Sequence, residues 1–286
     1  MQFHEVPAAR AAAKPRSPIA ICAFNGWNDA GESATGTITH LMNHCSAHLV
    51  AQMQSEDFYD YQQIRPTIFM DNSQIRRITW PNTHIYLVDD LHAERDFVFV
   101  IGPEPSFKWQ AFTDELIDLF EDLGVELVIT LGSLLADTPH TRPISITGSS
   151  TDLELSKRFS YQPSRYEGPT GIVGVLQSRA QERELAAISL WAAIPHYAAS
   201  APSPKATLAL IEELGELVER ELPIGDLAEA SKAWEIAVSQ LAEEDAEISE
   251  YVKQLEVDKD DSDFEETTGD ELAKEFERYL RKQKDN

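Results

Sequence analysis

The stretch Pro18-Ile19-Ala20-Ile21-Cys22-Ala23-Phe24-Asn25-Gly26-Trp27-Asn28-Asp29-Ala30-Gly31 decides how the rest of the chain is read. Its first seven residues are one continuous apolar run, the pattern of a strand covered on both faces. The run stops at a loop carrying two glycines, which let the backbone turn tightly. A helical pattern follows from Gly31 to Leu49, with Asn28 or Asp29 placed to cap it. A buried strand, a glycine-bearing turn and a helix are the opening unit of an α/β sheet.

The alternation continues down the chain. His48 to Gln54, Thr83 to Val88 and Asp96 to Ile101 read as strands. Arg65 to Trp80 alternates weakly through Ile68, Met70, Ile75, Ile78 and Trp80, as a hairpin or edge strands do. Ser106 to Leu123 reads as a helix, its Trp109, Phe112, Leu116, Leu119 and Phe120 recurring at three- and four-residue spacing. Gly124 follows as its C-cap. Val125 to Leu131, Ile144 to Thr147, Ile172 to Leu176 and Ala187 to Ala193 complete the strands. Helical stretches fall near 149–158 and 177–185, and a last body helix runs from about Lys205 to Glu221. The expectation is a three-layer α/β/α sandwich with a mostly parallel or mixed sheet.

Beyond residue 222 the composition changes. Residues 211–286 hold 25 acidic and 9 basic residues, against 24 and 15 in residues 1–210. Most of the net charge of −25 therefore belongs to the last quarter of the chain. We expect an α/β domain over 1–222 and an acidic helical appendage over 223–286. In the appendage, Asp226 is placed to cap a helix from Leu227 to Leu255. Residues 258–263 read as a charged linker, and 270–282 as a final helix. A helical pair of this kind can pack on its own body, on a sister subunit or on a partner protein.

The charge also excludes functions. Nucleic-acid and anionic-membrane binding need a basic face, which a chain at −25 does not supply. No apolar run reaches the roughly 18 residues of a membrane span. The N-terminal segment carries no apolar core of a signal peptide, and Cys22 and Cys45 form no disulfide framework, so a cytoplasmic protein is expected.

Candidate site residues lie in the loops after strands, where open α/β sheets place their sites. The first loop offers Asn25, Gly26, Trp27 and Asp29, without a dinucleotide or phosphate-loop pattern, so no cofactor is expected. Glu104 is held between Pro103 and Pro105, stiffly enough for an acid, a base or an anchor. Asp137, His140 and Arg142 cluster in the third loop, where His140 could move a proton and Arg142 could hold an anion. Ser133 lacks the context of a nucleophile elbow. Tyr166, Glu167 and His196 add polar groups to the same rim. His40, His44 and His48 are spaced along the first helix, but no Cys or carboxylate falls at matching spacing, and they read as a polar stripe rather than a metal site.

Taken together, five of these segments resemble the proteasome assembly chaperone 2 family, in its actinobacterial branch. They are Ala23 to Gly31, Leu131 to Leu134, Pro139 to Pro143, Tyr166 to Gly171 and Trp191 to Tyr197, over residues 18 to 220. The resemblance implies a three-layer fold related to the phosphorylase/hydrolase architecture, self-assembly into a small homo-oligomer such as a trimer, and protein partners. Relatives dock on the proteasome core through a C-terminal hydrophobic residue–Tyr–any residue tail. This chain ends Lys282-Gln283-Lys284-Asp285-Asn286, so docking by such a tail is not expected. The favoured reading is a non-enzymatic assembly chaperone or adaptor. The alternative is a hydrolase- or phosphorylase-like enzyme acting on a small polar molecule with Asp29, Glu104, His140 and Arg142. That alternative requires those side chains to converge on one pocket.

Overall fold

The computed structural model describes residues 3–5, 15–53, 56–89, 91, 94–150, 152–161, 164, 166–199 and 202–266. The first half contains β1 (Phe3–Glu5), β2 (Ile19–Asn25), α1 (Ser33–Asn43), β3 (Ala47–Met53), β4 (Thr67–Met70), β5 (Arg76–Thr79), β6 (His84–Val88) and β7 (Phe97–Pro103). The second half contains α2 (Trp109–Leu123), β8 (Leu127–Ala136), β9 (Ile146–Ser150), α3 (Leu153–Phe159), α4 (Ile172–Glu182), β10 (Ala186–Pro195), α5 (Pro204–Leu217), α6 (Leu227–Glu243) and α7 (Ala246–Glu266).

Eight strands form one sheet in the order β1-β3-β6-β7-β2-β8-β10-β9. The four central strands β7, β2, β8 and β10 are parallel. Antiparallel β6 and β9 flank them, so the sheet is mixed.

The apolar run of β2 is explained by its place between two helical layers. Ile19, Ile21 and Ala23 pack in the core that includes Ile38 and Leu41 of α1 and Leu210 and Leu214 of α5. Ala20, Cys22 and Phe24 pack in the opposite core, with Phe112 and Leu116 of α2 and Ile172 and Leu176 of α4. Each large side chain buried in this way contributes about 2 kcal/mol. The sandwich is therefore α/β/α, as expected.

Cap chemistry sets several boundaries. Gly124 lies at φ 75°, and its amide and that of Val125 bond to the carbonyls of Glu121 and Phe120. This is the double closure that a left-handed residue after a helix permits. Asp152 accepts from the amides of Glu154 and Leu155, both at 2.9 Å, and opens α3. Ser203 and Pro204 open α5.

Several expectations need correction. Ile172 to Leu176, read as a strand, is the first turn and a half of α4. Its run of apolar residues is strand-like over five positions, but the buried set Ile172, Val173, Leu176 and Ala180 is one helix face. Helix α1 ends at Asn43 rather than Leu49, which puts His48 on β3 and breaks the histidine stripe. Arg65 to Trp80 contributes nothing to the main sheet: β4 and β5 pair only with each other.

The appendage helix expected over 227–255 is two helices. Asp245 accepts from the amides of Glu247 (2.8 Å) and Ile248 (3.3 Å), and so starts a new helix there. Asp226 makes no side-chain cap bond. The charged segment 258–263 is helical and belongs to α7. The final helix expected over 270–282 lies outside the described residues.

Helices α6 and α7 pack on the rest of the chain. Leu227 joins the main core, and Trp234 and Val238 cover Ala198 and Tyr197. His40 Nε2 donates to the carbonyl of Pro223 at 3.2 Å, and its ring stacks on His44 at 4.2 Å. Among the described residues no helix is long and apolar enough to cross a membrane.

Candidate functional site

Because the central strands are parallel, their carboxyl ends share one rim. Asn25 of β2 is level with Pro103 of β7, and Ala136 of β8 with Pro195 of β10. A cavity of about 1300 Å³ opens there beside β8 and β10. Trp27, Leu134, Leu135, Tyr166 and Trp191 give it apolar walls, and Asn25, Ser149 and Gln177 add polar groups. Its charged lining among the described residues is Asp29 and Glu32, both acidic.

The loop after β2 turns on Gly26, at φ 137°, where a Cβ would lie 3.4 Å from that of Glu104. The turn sends Asp29 inward. Its Oδ1 accepts from the amides of Ala34 (2.9 Å) and Thr35 (3.2 Å), and its Oδ2 from the Thr35 hydroxyl. Asp29 therefore caps α1, whose N-terminal amides would otherwise be open to an anion. Burial raises its pKa above the usual carboxylate value, against the hydrogen bonds from Thr35 and Ala34.

Glu104 performs the same task at α4. Its Oε1 accepts from Asn28 Nδ2 at 2.7 Å and from the amide of Ile172 at 2.8 Å. Gly171, just before that helix, supplies no cap of its own. A Cβ at Gly171 would lie 2.2 Å from Asn28 Oδ1, so only glycine fits there without displacement. Asn28 Oδ1 is buried and has no hydrogen-bond partner among the described residues. Two carboxylates of the chain thus occupy the N-termini of α1 and α4 at the rim.

Ser133 is fully buried and fastens the first loop: its amide donates to Asn28 O (2.8 Å) and its hydroxyl to Ala30 O (2.7 Å). His140 is also buried, beneath α6. The Tyr197 hydroxyl accepts from the His140 amide at 2.8 Å and sits 2.9 Å from Nδ1. On the other side of the ring, Nε2 lies 2.9 Å from Ser239 Oγ. Both ring nitrogens are engaged, and burial lowers the histidine pKa.

Arg142 turns toward α7. Nε and an amino group each lie 2.7 Å from Asp260, a two-pronged pairing. Thr141 donates to Glu256 on the same helix. His196 stands 3.3 Å from Asp137, which also accepts from the Tyr251 hydroxyl at 2.9 Å. Tyr166 is exposed and donates to Pro169 O at 2.9 Å, and Glu167 is exposed beside it.

The expected rim therefore divides. Asn25, Gly26, Trp27, Asp29 and Tyr166 line the cavity. Glu104 is spent between Asn28 and α4, and His140, Arg142 and His196 are tied to the C-terminal helices. The side chains that the enzyme alternative needs do not converge on one pocket. Sequence reasoning missed Lys205, whose Nζ donates to His140 O at 2.6 Å and pairs with Glu235. It also missed Ser239, Glu256 and Asp260, which are ordinary helix residues until the fold brings them to the third loop.

A family model described as the PAC2 family matches residues 23–242. No curated protein matches the sequence. A PAC2 family protein from Streptomyces avermitilis is 43% identical, covering 82% of this chain and 99% of its own, with a TM-score of 0.76. A proteasome-assembly chaperone homologue from Mycobacterium tuberculosis is 39% identical over 82% of this chain and 99% of its own, with a TM-score of 0.75. An archaeal proteasome activator from Pyrococcus furiosus shares the fold at 16% identity, over 84% of this chain and 98% of its own, with a TM-score of 0.66. The family match begins inside β2 and runs through every loop of the rim into α6, and by that match this chain belongs to the PAC2 family.

Proposed function

We propose that this chain is a non-enzymatic assembly chaperone or adaptor, acting in the cytoplasm on proteasome subunits through protein–protein contacts. The observation that carries the reading is the occupation of the rim by the chain itself. Asp29 and Glu104 fill the helix N-termini where an anionic substrate would sit, and His140 and Arg142 are held under α6 and α7. What the rim offers to solvent is apolar: Trp27 is 64% exposed and Tyr166 67%. Surfaces of that kind fit protein partners better than small polar molecules. The likeness to the Mycobacterium tuberculosis chaperone homologue supports the choice of partner.

In this reading Asn25, Gly26, Trp27, Tyr166 and Glu167 belong to the contact surface, and Asp29, Glu104, His140, Arg142 and His196 keep its loops in place. The 1–222 body carries the surface and the 223–286 segment is an acidic arm packed on it. We also infer that the chain self-assembles, with a trimer as the expected form.

The test is binding to purified actinobacterial proteasome α and β subunits, free and as assembled core, read by native mass spectrometry. A complex with unassembled subunits that is lost on Trp27→Asp supports the proposal. Failure to bind subunits or core in any state overturns it.

A further inference from the structure

Among the described residues nothing covers the β4–β5 hairpin. Its base is anchored, with the rings of Tyr61 and Trp80 at 4.8 Å. Along the hairpin Ile68, Phe69, Met70, Ile75, Ile78 and Trp80 are each between 46% and 59% exposed. All eight strand residues are exposed, so neither face of the ribbon is packed. A two-stranded ribbon of this length is marginal in water by itself. The register gathers Ile68, Met70 and Ile78 on one face of it, and an exposed apolar face of this kind is the sort that assemblies bury.

Charge indicates what buries it. Residues 65–80 carry Arg65, Arg76 and Arg77 against one acid, Asp71, which Arg77 pairs at 3.0 Å, in a chain of net −25. Two hairpins facing each other would bring like charges together, which disfavours that pairing at an interface. The cavity rim is the complement: apolar, with Glu32 lining it and Glu167 exposed beside it. Both surfaces lie at the same end of the sheet. β6 starts at His84, level with Ile101 near the end of β7, so the hairpin leaves from the carboxyl end on the β6–β7 side. The cavity opens at that end on the β8–β10 side.

The groove at the hairpin's base gives an independent indication. It is lined by Phe69, Arg77, Trp80, Asn82 and His84, and Asn82 Oδ1 is buried there without a hydrogen-bond partner among the described residues. A buried acceptor of this kind costs free energy until a donor reaches it.

We propose that the hairpin of one copy docks over the cavity rim of a second copy of this chain. Its apolar ribbon covers Leu134 and Leu135 and Arg76 faces Glu32, which leaves Trp27, Tyr166 and Glu167 to the partner surface. The two patches differ, so the contact is heterologous, and repetition closes it into a ring. This inference rests on the self-assembly proposed above, and the experiment separates the two.

The masses of three proteins are measured by light scattering over a concentration series. They are the full chain, the hairpin double variant Ile68→Asp/Ile78→Asp, and the rim variant Leu135→Asp. The full chain is expected as an oligomer. Each variant is expected to associate ~30-fold or more weakly, the factor of an interface hot spot, and to run at the 32.1 kDa of one chain. Mixing the two variants then restores a single intact interface, and a dimer forms. A hairpin variant that keeps the full oligomer overturns the inference and leaves self-assembly standing. A mixture that stays monomeric overturns the heterologous pairing. A full chain that is monomeric throughout overturns both proposals. Near-UV circular dichroism checks the fold; Ile68→Ser/Ile78→Ser replaces the hairpin variant, or Leu135→Ser the rim variant, if either loses it.

Discussion

Glu104 and Ile172 are 68 positions apart, yet the carboxylate of one caps the helix that starts at the other, at 2.8 Å. The same oxygen holds Asn28, so one side chain joins the loops after β2 and β7 to α4. Glu104→Ala leaves a buried amide donor and a helix N-terminus open. The expected loss is about 2–3 kcal/mol, measured by urea unfolding at neutral pH. Glu104→Gln keeps an acceptor and loses only the charge at the helix dipole, for about 0.5–1 kcal/mol. An alanine variant as stable as the natural chain would show that the cap does no structural work.

A pair of left-handed residues gives a contrast. Gly124 ends α2 at φ 75°, and Glu184 lies beyond α4 at φ 57°. The amides of Glu184 and Leu185 bond to Gln181 and Ala180 in the same double closure. Gly124→Ala is expected to cost about 1 kcal/mol, and Glu184→Gly to stabilise by about as much. Thermal melts of the two variants should move in opposite directions.

His140 sets a pH dependence. Burial is the main cause of its lowered pKa; Lys205 acts in the same direction and Glu235 and Glu256 oppose it. The folded chain therefore holds the ring neutral while the unfolded chain takes up a proton near pH 6.5. The contribution is complete above that value and is lost as pH falls below it. His40 and His84 shift the same way, again chiefly through burial. The drop in urea midpoint between pH 7.5 and 5.5 should shrink in His140→Asn without vanishing. An identical drop in that variant would remove His140 from the account.

Trp234 holds α6 against the body through Ala198 and Tyr197. Trp234→Ala is expected to cost about 3 kcal/mol, concentrated in the C-terminal helices. Hydrogen exchange should quicken over 227–266 while β2 and β8 stay protected. Uniform acceleration across the sheet would mean that the helices and the body unfold together.

What the sequence disclosed was what short-range chemistry determines. The run through β2, the three- and four-residue spacing of α2 and the glycine after it each act within a few positions, and each is found in place. Ile172 to Leu176 failed because five apolar residues fit a strand and a helix face equally well. The decision came from Ala180 and from the layer of α2, outside that window. The site was legible as a set of loops but not as a geometry. His140 reads as a free base until Tyr197 and Ser239, 57 and 99 positions on, take both ring nitrogens. Arg142 reads as an anion holder until Asp260, 118 positions on, supplies the anion.

Glu104 can also be regarded as a tethered ligand. A carboxylate arriving from solution must displace one that is covalently attached and already oriented, whose effective concentration the backbone fixes. Glu104→Gly would turn that self-occupied cap into a vacancy. Formate or acetate, small enough to enter and of the right charge, should then restore part of the lost stability in a concentration-dependent way. The natural chain should be indifferent to both, and that indifference would measure how completely this fold has closed its own anion site.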